Sequence, residues 1–373
     1  MYDAQTARQD TPDTTPVAVA AGPPSPEDIA LQDELLPGVS RTFALTIPQL
    51  PEPLRVPVTN AYLLCRIADT IEDEPTLTPA EKRQFHKQFV AAVQGKTSAT
   101  EFAKSLHPRL SKTTLAAERE LILHSQQVLH TTRALPARQR DSLERCISIM
   151  CDGMSQFQNT EGLSGLEDLH EMERYCYFVA GVVGEMLTEL FCDYSPDIEA
   201  TRPELMNLSV AFGQGLQMTN ILKDIWEDRT RDACWLPRDV FEEVGCDLGS
   251  LDPESRKGFG EALNQLIGVA HLRLRSALSY TQLIPSAETG IRRFCLWAIG
   301  MAVLTLRKIH QNPDFVAGGE VKISRRAVKS TILAANLTAP SNAALKMAFD
   351  LVARGLPLAD GEQYQAMSNS PNG

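Results

Sequence analysis

Apolar side chains recur along this chain at spacings of three and four, which places them on one face of an α-helix. The pattern is clear around residues 52–74, 112–134, 136–158, 168–194, 204–228, 258–283 and 291–311. Each segment predicts a helix, and the breaks fall at turn signals such as Leu135-Pro136, Ser195-Pro196 and Asp252-Pro253. No run alternates apolar and polar with the period of two that a half-buried strand needs, and nothing repeats with a solenoid period. The expectation is an all-α fold, a single-domain helical bundle with one large core. Its site belongs in a central cavity between facing helices.

The ends depart from the pattern. Residues 1–26 are rich in Pro, Thr, Ala and Asp without apolar periodicity, which predicts a disordered leader. The helical domain then spans 27–355, and 356–373 reads as a disordered tail. The leader has no charged segment followed by an apolar run, so no secretory signal is expected. The longest strongly apolar stretch, Phe294 to Leu306, is short for a bilayer span and predicts a buried helix.

Two helical segments share an acidic pattern. Asp69-Thr70-Ile71-Glu72-Asp73 and Asp224-Ile225-Trp226-Glu227-Asp228 both read Asp-x-x-Glu-Asp. On a helix, each presents three carboxylates to one side. Such carboxylates raise one another's pKa unless a cation lies among them. Two clusters facing across a cavity form an all-oxygen site that suits Mg²⁺, with Mn²⁺ as a substitute. Tyr62, Arg66, Asp69 and Asp73 share one stripe; Gln217, Asn220, Asp224 and Asp228 share another, with Lys223 adjacent. Carboxylates interleaved with cations and amides suit a metal–diphosphate complex. A single acidic face is more often a solvated one with i,i+4 ion pairs. Two copies, each beside an amide or a guanidinium, argue for a shared ligand.

Composition narrows the classes. A hydrophobic fraction of 43% with 22% charged residues fits a soluble globular protein with a sizeable core. The net charge of −11 argues against nucleic acid. Phosphate handling would then need metal to invert the local field. Eight cysteines occur without a C-x-x-C pair, so neither a zinc site nor a disulfide framework is expected, and a reducing, cytoplasmic compartment is. The seven histidines form no ligand-spaced set, and no Gly-rich dinucleotide or phosphate loop appears.

In this order the motifs resemble the squalene/phytoene synthase family, and within it the squalene synthases. The resemblance is carried by Ser40-Arg41-Thr42-Phe43, Tyr62 to Asp73 (YLLCRIADTIED), Tyr175 to Gly184 (YCYFVAGVVG) and Asn220 to Pro237 (NILKDIWEDRTRDACWLP). Phe294-Cys295 and Val321-Lys322-Ile323-Ser324-Arg325 add to it, and it runs from about residue 35 to 340. It implies the isoprenoid synthase type of bundle and the head-to-head condensation of two farnesyl diphosphates. The product forms through presqualene diphosphate, and NADPH reduces it to squalene. By the same resemblance Asp69, Glu72, Asp73, Asp224 and Asp228, with Glu227, would hold Mg²⁺. Ser40, Arg41, Arg66, Gln217, Asn220 and Lys223 would bind substrate. Phe43, Tyr62, Tyr175 and Phe294 match positions near the reacting carbons, Tyr175 in proton handling, and Lys322 and Arg325 would meet NADPH.

Departures from the family's pattern leave three points open. The arginine expected five residues beyond the last aspartate is Ala233, with Arg229 or Arg231 as substitutes, and Ser324 fills a slot that is often arginine. Gly181 and Gly184, with Ala180, each have two explanations, room for a prenyl chain or close helix packing. A phytoene or dehydrosqualene synthase without NADPH, and a non-catalytic relative, are the competing readings. The C-terminal membrane helix of many members is not seen in this sequence, so a monomer, soluble or peripherally bound to membrane, is expected.

Overall fold

The expected periodicity is realised as helix almost throughout. The computed structural model describes residues 24–158, 162–251 and 256–359 and, of Arg41, the backbone alone. The leader through residue 23 and the tail from 360 lie outside them. The first helices are α1 (Pro26–Val39), α2 (Arg41–Thr46), α3 (Glu52–Glu72), α4 (Pro79–Val93) and α5 (Ala99–Leu106). Next come α6 (Ala116–Leu123), α7 (Ser125–Ala134), α8 (Ala137–Phe157), α9 (Leu169–Cys176) and α10 (Val182–Tyr194). The remainder are α11 (Pro196–Glu199), α12 (Arg202–Arg229), α13 (Arg238–Glu242), α14 (Phe259–Leu283), α15 (Thr289–Gln311), α16 (Arg325–Thr338) and α17 (Asn342–Ala353). Among the described residues no strand forms, and one isolated bridge pairs Leu166 with Pro237.

Local chemistry sets the boundaries. Thr78 and Glu81 exchange hydrogen bonds with each other's backbone to start α4. Ser25, Ser98, Asp168, Ser324 and Ser341 cap α1, α5, α9, α16 and α17 through their side-chain oxygens. The 112–134 segment is two helices rather than one. The Ser125 hydroxyl donates to the Ile122 carbonyl at 2.7 Å, beside the kink at His124, and competes with the helical ladder there. The 168–194 segment contains a π turn at Tyr177–Gly181 between α9 and α10.

Two apolar clusters replace the single core expected. The first draws mainly on α1, α3 to α8 and α10, joined by Tyr280 of α14 and by Ile291, Phe294 and Cys295 of α15; the second draws on α9 and α12 to α17. Val179 and Phe212 are partly buried against both. The long helix α12 packs on α10, α14 and α15 and so stands between the halves. Arg292 is fully buried and fastens the C-terminal elements: Nε donates to the Thr281 carbonyl at 3.3 Å, one terminal nitrogen to the Ala339 carbonyl at 2.7 Å, and the other to Asn342.

The expected tail begins too early. Leu356 packs on the second cluster, and the Ala359 N–H donates to the Gly268 carbonyl at 3.2 Å, so the docked chain runs to 359. By length and composition alone, Leu169–Tyr194 and Thr289–Gln311 would suffice to cross a bilayer. The second is longer than the stretch read from sequence, because its helix extends past Arg293 and Arg307. Half or more of each apolar window is buried inside the protein, as befits core helices.

Close packing accounts for the glycines near the π turn. A Cβ on Gly184 would lie 2.2 Å from the Ser209 carbonyl oxygen, and one on Gly213 would lie 2.1 Å from that of Ala180. Each is a backbone contact that no side chain can yield. Gly213→Ala or Gly184→Ala is therefore expected to lower stability by about 1–3 kcal/mol. Gly319→Ala, where nothing lies within 4 Å, should change it by less than about 0.5 kcal/mol. Urea denaturation of the three variants checks the contrast; equal losses would refute it.

Candidate active site

The two acidic motifs end up facing each other. The first closes α3, with Asp73 as its C-terminal cap, and the second closes α12. One guanidinium joins them: Arg231 donates to Asp73 at 3.0 Å and to Asp228 at 2.6 Å. Carboxylates far apart in sequence thus lie within the span of one side chain, and the space between them holds a positive charge. Arg231 sits in the turn after α12, just before Asp232, whose φ of 57° lies in the left-handed region.

The electrostatics show how strongly this region calls for cations. Burial pushes the Asp69 carboxyl up to about 6; Arg66 opposes the rise, while Asp73 and Glu118 add to it. Burial likewise raises Asp228 to about 6 against the pull of Arg231, with Asp224 and Asp73 adding to the rise. Glu118, on α6, is also raised by burial. Arg66 stands among these groups, 3.5 Å from Glu118 and 3.9 Å from Asp69, and donates to the Tyr62 hydroxyl at 3.2 Å. Its Nε is buried without a hydrogen-bond partner. Lys223 pairs with Asp224 at 2.9 Å. Glu72 accepts from the Gln158 amide at 2.8 Å.

Among the described residues no three of His, Cys, Asp or Glu are grouped so as to enclose a metal ion unaided. Mg²⁺ requires less, since one or two carboxylates suffice when water and substrate phosphate complete the octahedron. The hard-oxygen donor set, its raised carboxyls and the bridging guanidinium are compatible with that mode of binding.

The apolar walls carry aromatic rings in two groups. Phe43 lies 4.7 Å from Tyr62 and 6.2 Å from Phe294, between ring centroids. Tyr175 belongs to the other half, stacked on Trp235 at 4.0 Å with the planes 6° apart and edge-on to Phe157 at 5.3 Å. Burial, then the charges of Glu72 and Asp73, hold the Tyr175 hydroxyl well above the usual phenol range, so it stays protonated. Phe43, Tyr62, Cys65, Val179, Leu187 and Phe212 are only partly buried although they sit on helices that pack into the cores. That is the exposure expected of side chains lining an internal cleft.

Other sequence candidates are placed more loosely. Ser40 is a joint, closing α1 through its N–H to the Leu36 carbonyl and capping α2 through its hydroxyl oxygen, which accepts from the Phe43 N–H at 3.0 Å. The Arg41 side chain lies outside the described residues. Gln217 is half-buried and Asn220 exposed, one turn before Asp224. Glu227 accepts from the Gly318 N–H at 2.9 Å, and so is engaged by the segment joining α15 to α16 rather than by Arg231. Lys322 and Arg325 are exposed, Arg325 on the first turn of α16. Of the two substitutes for the missing arginine, Arg229 donates to the Leu248 carbonyl at 3.0 Å, while Arg231 meets the acidic motifs.

Sequence reading missed Glu118, Gln158 and Trp235. Glu118 lies in the short helix α6, far along the chain from either motif, and no spacing marks it. Trp235 lies in the segment that follows the second acidic motif, but only the fold stacks it on Tyr175.

An aspartate whose folded pKa exceeds its unfolded value of about 4 favours the fold below that value and loses this contribution as pH rises through about 6. The metal-free chain, held in chelator, should therefore lose stability between about pH 4 and pH 6. Asp228→Asn is expected to flatten that loss and to stabilise the metal-free chain by about 1 kcal/mol at neutral pH. Thermal melts across pH check this; a variant as pH-sensitive as the parent would contradict it.

Comparison with known proteins follows the same lines. The squalene/phytoene synthase family profile matches residues 36–327. Squalene synthase ERG9 of Gibberella zeae is 30% identical over 315 residues, 81% of this chain and 63% of that protein. The squalene synthase of Schizosaccharomyces pombe is 28% identical over 321 residues, 84% and 66% respectively. The chain thus spans just under two thirds of the length of each. Among solved structures, a ligand complex of TcSQS aligns with a TM-score of 0.68 at 23% identity, over 92% of this chain and 97% of that one. A dehydrosqualene synthase in complex with ligand gives 0.61 at 18%, over 83% and 96%. At these identities the structural likeness is one of fold. A profile that covers most of the chain, on an all-helical fold of this kind, establishes that the protein belongs to the squalene/phytoene synthase family.

Proposed function

We propose that the protein is a squalene synthase, condensing two farnesyl diphosphates head to head through presqualene diphosphate and reducing the product with NADPH. The observation that carries this reading is the pair of opposed acidic helix ends, bridged by Arg231, with the partly buried rings of Phe43 and Tyr62 on the same helical bundle. Curated relatives named as squalene synthases support it.

Asp69, Asp73, Asp224 and Asp228, with Glu72, would hold Mg²⁺, which neutralises a diphosphate and makes it a better leaving group. Arg66, Lys223 and Arg231 supply further positive charge to the same phosphates, with Arg41 added by the family pattern. Arg231, which spans Asp73 and Asp228 in the free protein, would offer its guanidinium to a phosphate oxygen of the bound diphosphate. The allylic cation left behind needs a wall that does not react. The faces of Phe43, Tyr62 and Phe294 provide one, since a ring quadrupole attracts positive charge without offering a nucleophile. Exclusion of water protects the cation from quenching. Tyr175, protonated and adjacent to the acidic motifs, would relay the proton lost on coupling, passing its own hydroxyl proton to an oxygen of the released diphosphate as it accepts that one. NADPH supplies the hydride of the second half-reaction, and Lys322 and Arg325 offer charge to its phosphates.

Incubation with farnesyl diphosphate and Mg²⁺, with and without NADPH, tests the proposal. Squalene formed only with NADPH supports it; dehydrosqualene in both tubes assigns the chain to the NADPH-independent branch, and no turnover in either overturns the catalytic reading. Asp69→Asn and Asp224→Asn should fold yet lose activity by about 10²–10³-fold. Arg231→Gln should raise KM for farnesyl diphosphate and slow turnover. Arg229→Gln should mainly lower stability, because its partners are backbone carbonyls. Equal kinetic effects of the two arginine variants would contradict the assignment.

A further inference from the structure

The last two helices form an outer layer unlike the rest of the surface. Both α16 and α17 pack on α15 and on each other. Their inward faces are fixed by what they bury: Ala335 on α16, and Leu345, Phe349 and Ala353 on α17. Leu333 and Leu337 lie two residues either side of Ala335. Met347 lies two residues from both Leu345 and Phe349, and Leu351 two residues beyond Phe349. Two residues along a helix are a rotation of about 200°, so these four side chains are directed outward. Their exposures are 61%, 73%, 70% and 67%. Nine large apolar side chains are exposed among the described residues, and five of them lie between Leu333 and Leu358. Apolar residues scattered singly are ordinary, whereas such a concentration marks a contact surface.

Charge identifies the partner. Between Val321 and Leu358 the chain carries Lys322, Arg325, Arg326, Lys329, Lys346 and Arg354 against Asp350 alone, a net +5 in a chain whose total is −11. Arg326 and Lys329 stand on the outer side of α16, two turns and one turn before Leu333, and Arg354, exposed, is the residue that ends α17 after Leu351. Apolar side chains flanked by cations on an otherwise acidic protein match an anionic lipid surface, where the first enter the acyl boundary and the second meet headgroups. A second copy of the chain fits poorly, because a twofold contact would set +5 against +5. The segment that follows, DGEQYQAMSNSPNG, is polar and acidic and has few apolar residues to offer as a cover.

We propose that the outward face of the α16–α17 hairpin, built on Leu333, Leu337, Met347 and Leu351 with Arg326, Lys329 and Arg354, docks the protein on an anionic membrane surface.

The test is flotation of the full chain with vesicles of phosphatidylcholine alone or mixed with phosphatidylglycerol. The expected result is flotation with the anionic vesicles, weakened by salt, and about tenfold weaker binding to neutral ones. Leu333→Ser, Leu337→Ser, Met347→Ser and Leu351→Ser combined should abolish flotation while leaving turnover of detergent-solubilised farnesyl diphosphate unchanged. If that variant does not fold, Arg326→Gln, Lys329→Gln and Arg354→Gln combined should remove the preference for anionic vesicles. No flotation of the parent chain, or undiminished flotation of a folded variant, overturns the proposal. A dimer in sedimentation velocity that the apolar substitutions dissolve assigns the face to a second copy instead. Flotation that appears only after removal of residues 360–373 assigns it to that segment.

Discussion

Crowded carboxylates at the ends of two helices are the constraint on which the site depends. Bringing α3 and α12 together at their acidic ends costs electrostatic free energy, and burial of Asp69 and Asp228 adds to it. The fold tolerates this because Arg231 and Arg66 stand among the acids. Two apolar clusters supply the stabilisation that the acidic region lacks. Strain of this kind in a free protein is relieved by a ligand that brings positive charge, which is the kind of ligand proposed for this region.

The division of the core has the same logic. A bundle of this length could bury its apolar faces in one mass, yet the two halves share only side chains such as Val179 and Phe212 at their border. Close contact is reserved for the backbone: the carbonyls of Ala180 and Ser209 approach Gly213 and Gly184, and those glycines fix the spacing of α10 and α12. The π turn at Tyr177–Gly181 interrupts the helical register beside one of these contacts.

Sequence made much of this legible, for identifiable reasons. Long helices such as α3, α8, α12 and α14 carry a sustained period, and their ends fall within a few residues of expectation. The acidic motifs were readable because three carboxylates at helical spacing share a face whatever the fold. Short helices were harder, since α4 and α5 rest more on caps and tertiary packing than on a long stripe. Glu118 lay within a segment read as helix, but no spacing tied it to either acidic motif. Arg229 and Arg231 could not be told apart, because two residues along a turn point in directions that only the turn geometry decides. The second motif's own Glu227 was read by pattern as a ligand, whereas its N–H contact comes from Gly318, far along the chain.

Arg292 has a consequence for the outermost layer. Its guanidinium, sealed from solvent, grips the carbonyls of α14 and of the turn between α16 and α17, and with them Asn342. The same residue sits two positions before Phe294, whose ring meets Phe43. One short stretch of α15 thus anchors the surface hairpin on one side and carries the ring that meets Phe43 on the other.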